Sequence, residues 1–245
     1  MAGEFSPDSF ELDLHNVIRL NFGNGKSLRF GGVIDRADIW IHGDEKYFRV
    51  VDYKSSGKVI NEKTLAGGLN LQMLLYLFAS AERGSKYEGF IPAGVLYNPI
   101  QISDIEAEEA KIPDFNQTEV DSQLRTTGLI IDVRYVLEAM ESKLSGRYIP
   151  AKINKDGTLR SGSSVISSDR MELLKSFVYE SLREAAESMY SGDINADPLI
   201  EGKKLPCTYC AYSNICGNRI RKIFHKPDAE KIKKAAKILG REVEK

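Results

Sequence analysis

Asp52, Tyr53 and Lys54 end the run "RVVDYK", and Asp35 ends the run "GGVID" seventeen residues earlier. A hard divalent cation of the magnesium kind takes oxygen ligands, and two carboxylates on neighbouring strands can converge on one such ion. Alternation along a strand puts residues 52 and 54 on one face, so a carboxylate and an ammonium point to one place. There the Asp35 and Asp52 carboxylates and the Tyr53 backbone carbonyl would hold the ion. Its chemistry is to acidify a water. Lys54 would orient that water or stabilise charge on a phosphate. A bare D-x-K triplet is common and more often an exposed ion contact. Three features weigh against that here. Asp52 follows the apolar pair Val50–Val51, Asp35 follows Val33–Ile34, and a helix bearing Gln72 and Tyr76 comes next. Those two are four residues apart and share a face of an otherwise apolar helix, which suggests a lined site.

The second group able to do chemistry is Cys207-x2-Cys210-x5-Cys216 in "LPCTYCAYSNICGNR", which holds all three cysteines of the chain. Short spacing lets three thiolates face one metal or cluster, with zinc or iron–sulfur as the alternatives. A cluster takes four ligands, and only three are present. Burial of Leu205 and Ile215 is expected to hold this loop.

The elements that position these residues are strands and one helix. Residues 10–22, 27–41 and 46–54 read as three strands of an antiparallel meander, with turns at 23–26 and 42–45. Leu71, Leu74, Leu75 and Phe78 recur at helical spacing, giving a buried helix over 65–83. "PAGVLYNPI" at 92–100 reads as a strand beside the meander. Residues 101–130 are polar and irregular, 132–145 and 170–190 are helical, and turn signals between them suggest a hairpin. Residues 228–240 form an amphipathic basic helix with Ile232, Ala235, Ala236 and Leu239 on one side. The sum is α/β: a central mixed sheet, flanking helices and a mostly helical C-terminal part. The expected division is a core at 1–100, an insertion and helical part at 101–200, and the cysteine group with the basic helix at 201–245.

The 245 residues carry a net charge of −1, so total charge does not point to nucleic acid. Residues 201–245 carry twelve Lys/Arg against five Asp/Glu, a basic end that is either phosphate-facing or a solvated helix face. No apolar run approaches the ~20 residues of a membrane span. The first ten residues lack the basic start and apolar core of a signal peptide, so a cytoplasmic protein is expected.

"GGVIDRAD", "VVDYKSSG" and "LQMLLYL" together resemble the RecB-like branch of the PD-(D/E)xK nucleases, whose pattern is G-x-I-D, then D-Y-K, then Q-x-x-x-Y. The resemblance implies a restriction-endonuclease-like core. It makes Asp35 and Asp52 ligands of Mg²⁺, Lys54 the catalytic lysine, and Gln72 and Tyr76 the supporting helix residues. Within that branch the chain resembles nuclease domains of the AddB type. Those close on a 4Fe–4S cluster through one distant upstream cysteine and a C-x2-C-x5-C group, which Cys207, Cys210 and Cys216 match. The family's upstream metal-binding histidine has no counterpart among His15, His42 and His225, so a piece that starts inside the domain is expected. The resemblance implies exonuclease-type hydrolysis of single-stranded DNA from an unwound duplex, beside an AddA-type helicase–nuclease partner, in double-strand break repair and recombination. Two other readings compete. A CRISPR-associated RecB-like iron–sulfur nuclease shares the motifs but not the long span from Tyr76 to Cys207. A catalytically silent DNA-binding or scaffold module would carry the same fold.

Overall fold

Apolar runs broken by glycine and charge set the strands. In the computed structural model, which describes residues 3–14, 18–23, 25–55, 59–100, 125–200, 206–217 and 224–241, eight strands form two sheets. They are β1 (Ser6–Asp13), β2 (Ile18–Gly23), β3 (Lys26–Phe30), β4 (Val33–His42), β5 (Glu45–Lys54), β6 (Ile91–Pro99), β7 (Thr127–Ile131) and β8 (Val165–Ile166). The main sheet runs β1-β4-β5-β6-β7-β8, and β2-β3 is a separate pair. The expectations placed on His15, on Leu205 and on most of 101–130 lie outside the described residues.

Two expected strands are each divided. Residues 10–22 split between β1 and β2. Residues 27–41 split at Gly31–Gly32 into β3 and β4. Glycine without a side chain to pack weakens a strand interior, so a break there is the physical outcome. Residues 127–130, expected to be irregular, fall within β7, which runs antiparallel to β6. Its sequence, "TGLII", is apolar enough to be buried on both faces.

The described chain forms two compact units that interleave in sequence, whereas the sequence reading divided it consecutively at 100 and 200. The first comprises residues 1–19, 29–59 and 73–171, and holds the main sheet. β4 turns into β5 through Gly43, whose φ of 59° suits a residue without Cβ. β5 and β6 are parallel, so a crossover must join them. It contains α1 (Glu62–Ala66) and α2 (Gln72–Ser80). The single helix expected at 65–83 is therefore shorter and preceded by a separate turn. Asn61 caps α1 with a capping box, and Gly67 and Gly68 end it.

The main sheet is covered on both faces. On one, Trp40, Tyr47, Val51, Leu96 and Ile130 pack with Leu137 and Met140 of α3 (Arg134–Met140). On the other, Phe48 stacks on Tyr87 at 4.8 Å, and Val50, Val95 and Leu129 follow in register, all buried. Ile153 and Leu159 form an isolated antiparallel bridge where a hairpin was expected.

The second unit comprises residues 20–28, 60–72 and 172–245. It holds most of α4 (Ser168–Tyr190), a 3-10 turn (Pro206–Tyr209), α5 (Ser213–Cys216) and α6 (Ala229–Ile238). Ala235, Ala236 and Leu239 are buried as the amphipathic pattern requires. The lysines of α6 are largely matched: Lys231 pairs with Glu184, Lys234 with Glu180 and Lys233 with Glu230. The basic helix is thus a salt-bridged face rather than a bare cationic one.

Candidate active site

β4 and β5 pair antiparallel, Arg36 opposite Val51 and Ala37 opposite Val50. One step further along that register sets Asp35 opposite Asp52. Paired residues share a face, and alternation adds Lys54 to it. Both aspartates close buried runs, since Ile34, Val50 and Val51 are all almost wholly inaccessible. The Asp35 carboxylate accepts the Tyr53 backbone N–H at 3.0 Å, so it touches β5 between Asp52 and Lys54.

Asp52 is buried. Lys54 Nζ lies 3.0 Å from its Oδ1 and 2.8 Å from its Oδ2. The contact to Oδ2 is an ion contact without an aligned hydrogen bond. A buried carboxylate needs a cation, because desolvating it alone is costly. The Lys54 side chain is 37% exposed, so it stands at the boundary between the buried carboxylate and solvent.

Tyr76 is buried on α2. A Cβ built on Gly32 would lie 1.8 Å from its hydroxyl oxygen, so the phenol rests directly on the backbone that leads into Asp35. Gln72 is the first residue of the same helix and is exposed. It belongs to the second unit by the division above, whereas Asp35, Asp52, Lys54 and Tyr76 belong to the first.

Asp38, three residues after Asp35, does something different. Alternation places it on the opposite face of β4. There it is 1% exposed and paired with Arg36 at 2.8 Å and Arg49 at 2.9 Å. Burial lowers the pKa of Arg49, and the neighbouring Asp38 charge opposes that. Sequence reading missed this cluster, whose one signal was the i, i+2 spacing of Arg36 and Asp38 on a strand. It also missed Tyr97, which lies opposite Asp52 in the β5–β6 register. Burial first, and the Asp52 charge second, raise the Tyr97 phenol well above the ordinary tyrosine range. A neutral hydroxyl therefore stands next to Asp52.

The three cysteines line one cavity of about 320 Å³ together with Asp197, Pro206 and Ser213. Among the described residues no three His, Cys, Asp or Glu side chains converge closely enough to hold a metal ion. Ile215 was expected to anchor this loop from a buried position. It is instead 86% exposed, because α5 is a single turn with no buried residue.

The PD-(D/E)XK nuclease superfamily matches residues 1–217, which include both acidic strands, Lys54, α2 and all three cysteines. The chain belongs to the PD-(D/E)XK nuclease superfamily. Its α/β fold, a six-stranded mixed sheet with flanking helices, agrees with a restriction-endonuclease-like core. It is also similar to proteins named as the B component of an ATP-dependent helicase/deoxyribonuclease. The relative from Thermoanaerobacter sp. is 34% identical over 209 residues, covering 84% of this chain and 18% of the relative. The relative from Caldanaerobacter subterraneus is 33% identical over 223 residues, covering 86% and 19%. The relative from Clostridioides difficile is 30% identical over 250 residues, covering 94% and 22%. The chain thus spans about a fifth of the length of the curated relatives it matches. No described helix is long and apolar enough to cross a membrane.

Proposed function

We propose that this chain is a metal-dependent deoxyribonuclease domain of the AddB type, hydrolysing DNA phosphodiesters on single strands delivered by an AddA-type helicase–nuclease partner during break repair and recombination. The observation that carries the reading is the common face of Asp35, Asp52 and Lys54 at the end of two paired strands. Family membership and the helicase/deoxyribonuclease names of the relatives support it.

The residues fit a divalent ion. Asp52 has a buried carboxylate oxygen without an aligned hydrogen bond, and Asp35 shares its face. Asp35, Asp52 and the Tyr53 carbonyl would hold Mg²⁺, which supplies Lewis acidity to the phosphate and an acidified water. Lys54 moves its ammonium from Asp52 to the charge that grows on the phosphate oxygens. Tyr97, neutral and buried beside Asp52, narrows the access of bulk water to that carboxylate. Tyr76 sets the backbone before Asp35, and Gln72, one turn earlier on α2, completes the Q-x-x-x-Y pair at the helix start.

Cys207, Cys210 and Cys216 are three ligands of a 4Fe–4S cluster in this reading. Their spacing and their shared cavity support it, and the described side chains must draw together for the cluster to form.

The test is cleavage of end-labelled single-stranded DNA by the purified chain. Mg²⁺-dependent cleavage that EDTA abolishes is the expected result. Absence of cleavage in Mg²⁺ and Mn²⁺ alike, with DNA binding retained, would favour a silent DNA-binding module.

A further inference from the structure

A second polar site lies on the main sheet, at the same end as Asp52 and Lys54. It is a cavity of about 400 Å³ within the first unit, lined by Arg125, Lys152 and Arg160, by Thr127 of β7, and by Ser163 and Ser164 before β8. Among the described residues no acidic side chain lines it. Arg125 is braced, its Nε donating to the Gly146 carbonyl at 2.7 Å. Lys152 and Arg160 make no side-chain ion pair among the described residues, although both are fixed through their backbone. The Lys152 N–H donates to the Ser163 hydroxyl at 3.2 Å, and the Arg160 N–H to the Lys152 carbonyl at 2.7 Å. A concave site with three cations, several hydroxyls and no carboxylate is built for an anion with several acceptor oxygens.

Its position narrows the choice of anion. The sheet register sets Asp52 opposite Tyr97, and Tyr97 opposite Thr127. Thr127 therefore stands in the same row and on the same face as Asp52, two strands away. Strands lie about 4.8 Å apart, so Thr127 stands about 10 Å along the row from Asp52, the length of about three stacked nucleotides at ~3.4 Å each, and Gly128 and Ala151 carry the cavity from there round the end of the sheet to the side that α3 covers. A free phosphate would gain nothing from that alignment, whereas a polynucleotide held at the carboxylates passes along the row.

We propose that the Arg125–Lys152–Arg160 cavity is a DNA backbone subsite, gripping a phosphodiester about three nucleotides from the bond cut at Asp35 and Asp52. The inference rests on the nuclease reading for its substrate. Phosphate contacts fix register without reading sequence, so this subsite sets how the strand lies across the carboxylates rather than which bases are chosen.

The experiment measures fluorescence anisotropy of a single-stranded oligonucleotide against the chain in EDTA, where cleavage plays no part. Lys152→Gln/Arg160→Gln is expected to weaken binding roughly tenfold and to lower the slope of log affinity against log salt by about 1.4, at ~0.7 for each lost phosphate contact. Lys152→Arg/Arg160→Lys keeps wild-type affinity. Arg160 is exposed, so Arg160→Gln alone leaves the thermal midpoint unchanged and gives about half the slope change. Affinity and slope unchanged in both neutral variants would overturn the subsite, as would a wild-type chain that binds no oligonucleotide. Unchanged affinity with Asp52-dependent cleavage overturns the subsite alone. Weakened affinity with cleavage that ignores Asp52→Ala overturns the active-site reading alone.

Discussion

The Tyr76 hydroxyl occupies the space that a Cβ on Gly32 would take, 1.8 Å from the ideal position, with two ring carbons at 2.4 and 2.8 Å. Helix α2 and the entry to β4 are thereby locked at van der Waals contact. Gly32→Ala is expected to lower stability by about 1–3 kcal/mol, the usual range for overpacking. In a double-mutant cycle with Tyr76→Ala the combined loss should be smaller than the sum, because removing the ring frees the space. Chemical denaturation of the four proteins measures this, and strict additivity would show that the two do not meet.

Asp38 and Asp52 make opposite demands. Asp38→Ala leaves Arg36 and Arg49 without their buried partner and should cost about 3–5 kcal/mol of stability. Asp52→Ala should change stability much less and act on cleavage. Thermal unfolding of the two variants side by side distinguishes them. Equal destabilisation would mean that both acids are structural.

Lys54→Ala removes the ammonium without removing either acid. Cleavage is expected to fall about 10²- to 10³-fold, the scale of losing one charge stabiliser, with single-strand affinity changed only a few-fold. Single-turnover cleavage beside anisotropy separates the two effects. Equal losses in both would make Lys54 a binding residue only.

Acid sensitivity should trace in part to Asp8. Its pKa is lowered, chiefly by the hydrogen bond from Lys86, against a desolvation effect that opposes it, with further help from Tyr87 and Ser9. A carboxylate lowered in the folded state stabilises above its unfolded value, about 3.9, and loses that contribution as pH falls through the folded value. The wild type should therefore exceed Asp8→Asn by about 0.2–1 kcal/mol between about pH 5 and 7. The gap should close below about pH 4. Denaturation midpoints across pH test this, and a gap that widens on acidification would reverse the sign.

The residues that could be read from sequence are those where chemistry and pattern coincide. Val50 and Val51 ahead of Asp52 marked a buried strand ending on charge, and alternation alone paired Asp52 with Lys54. The helix at Leu71–Phe78 was legible from its spacing. What was not legible depended on contacts distant in sequence. The glycine at 32, where β3 and β4 part, leaves the room that Tyr76 of α2 occupies, a contact between elements distant in sequence. The β7 strand exists because β6 offers it an edge, and "TGLII" alone is too short to declare itself. The role of Asp38 was not legible because its partner Arg49 is set opposite it only by the strand register. Ile215 looked like an anchor, but a one-turn helix gives an apolar residue no interior to enter.

The most direct measurement is Mg²⁺-dependent cleavage of single-stranded DNA by the wild type, Asp35→Asn and Asp52→Asn, at matched thermal midpoints. Each substitution keeps the shape of the side chain and removes one ligand charge. If Asp35 and Asp52 are the metal ligands, cleavage falls at least about 10²-fold in both variants, with oligonucleotide affinity in EDTA unchanged or slightly higher, and the metal-ligand assignment stands on that result. Full Mg²⁺-dependent cleavage by Asp52→Asn would contradict it.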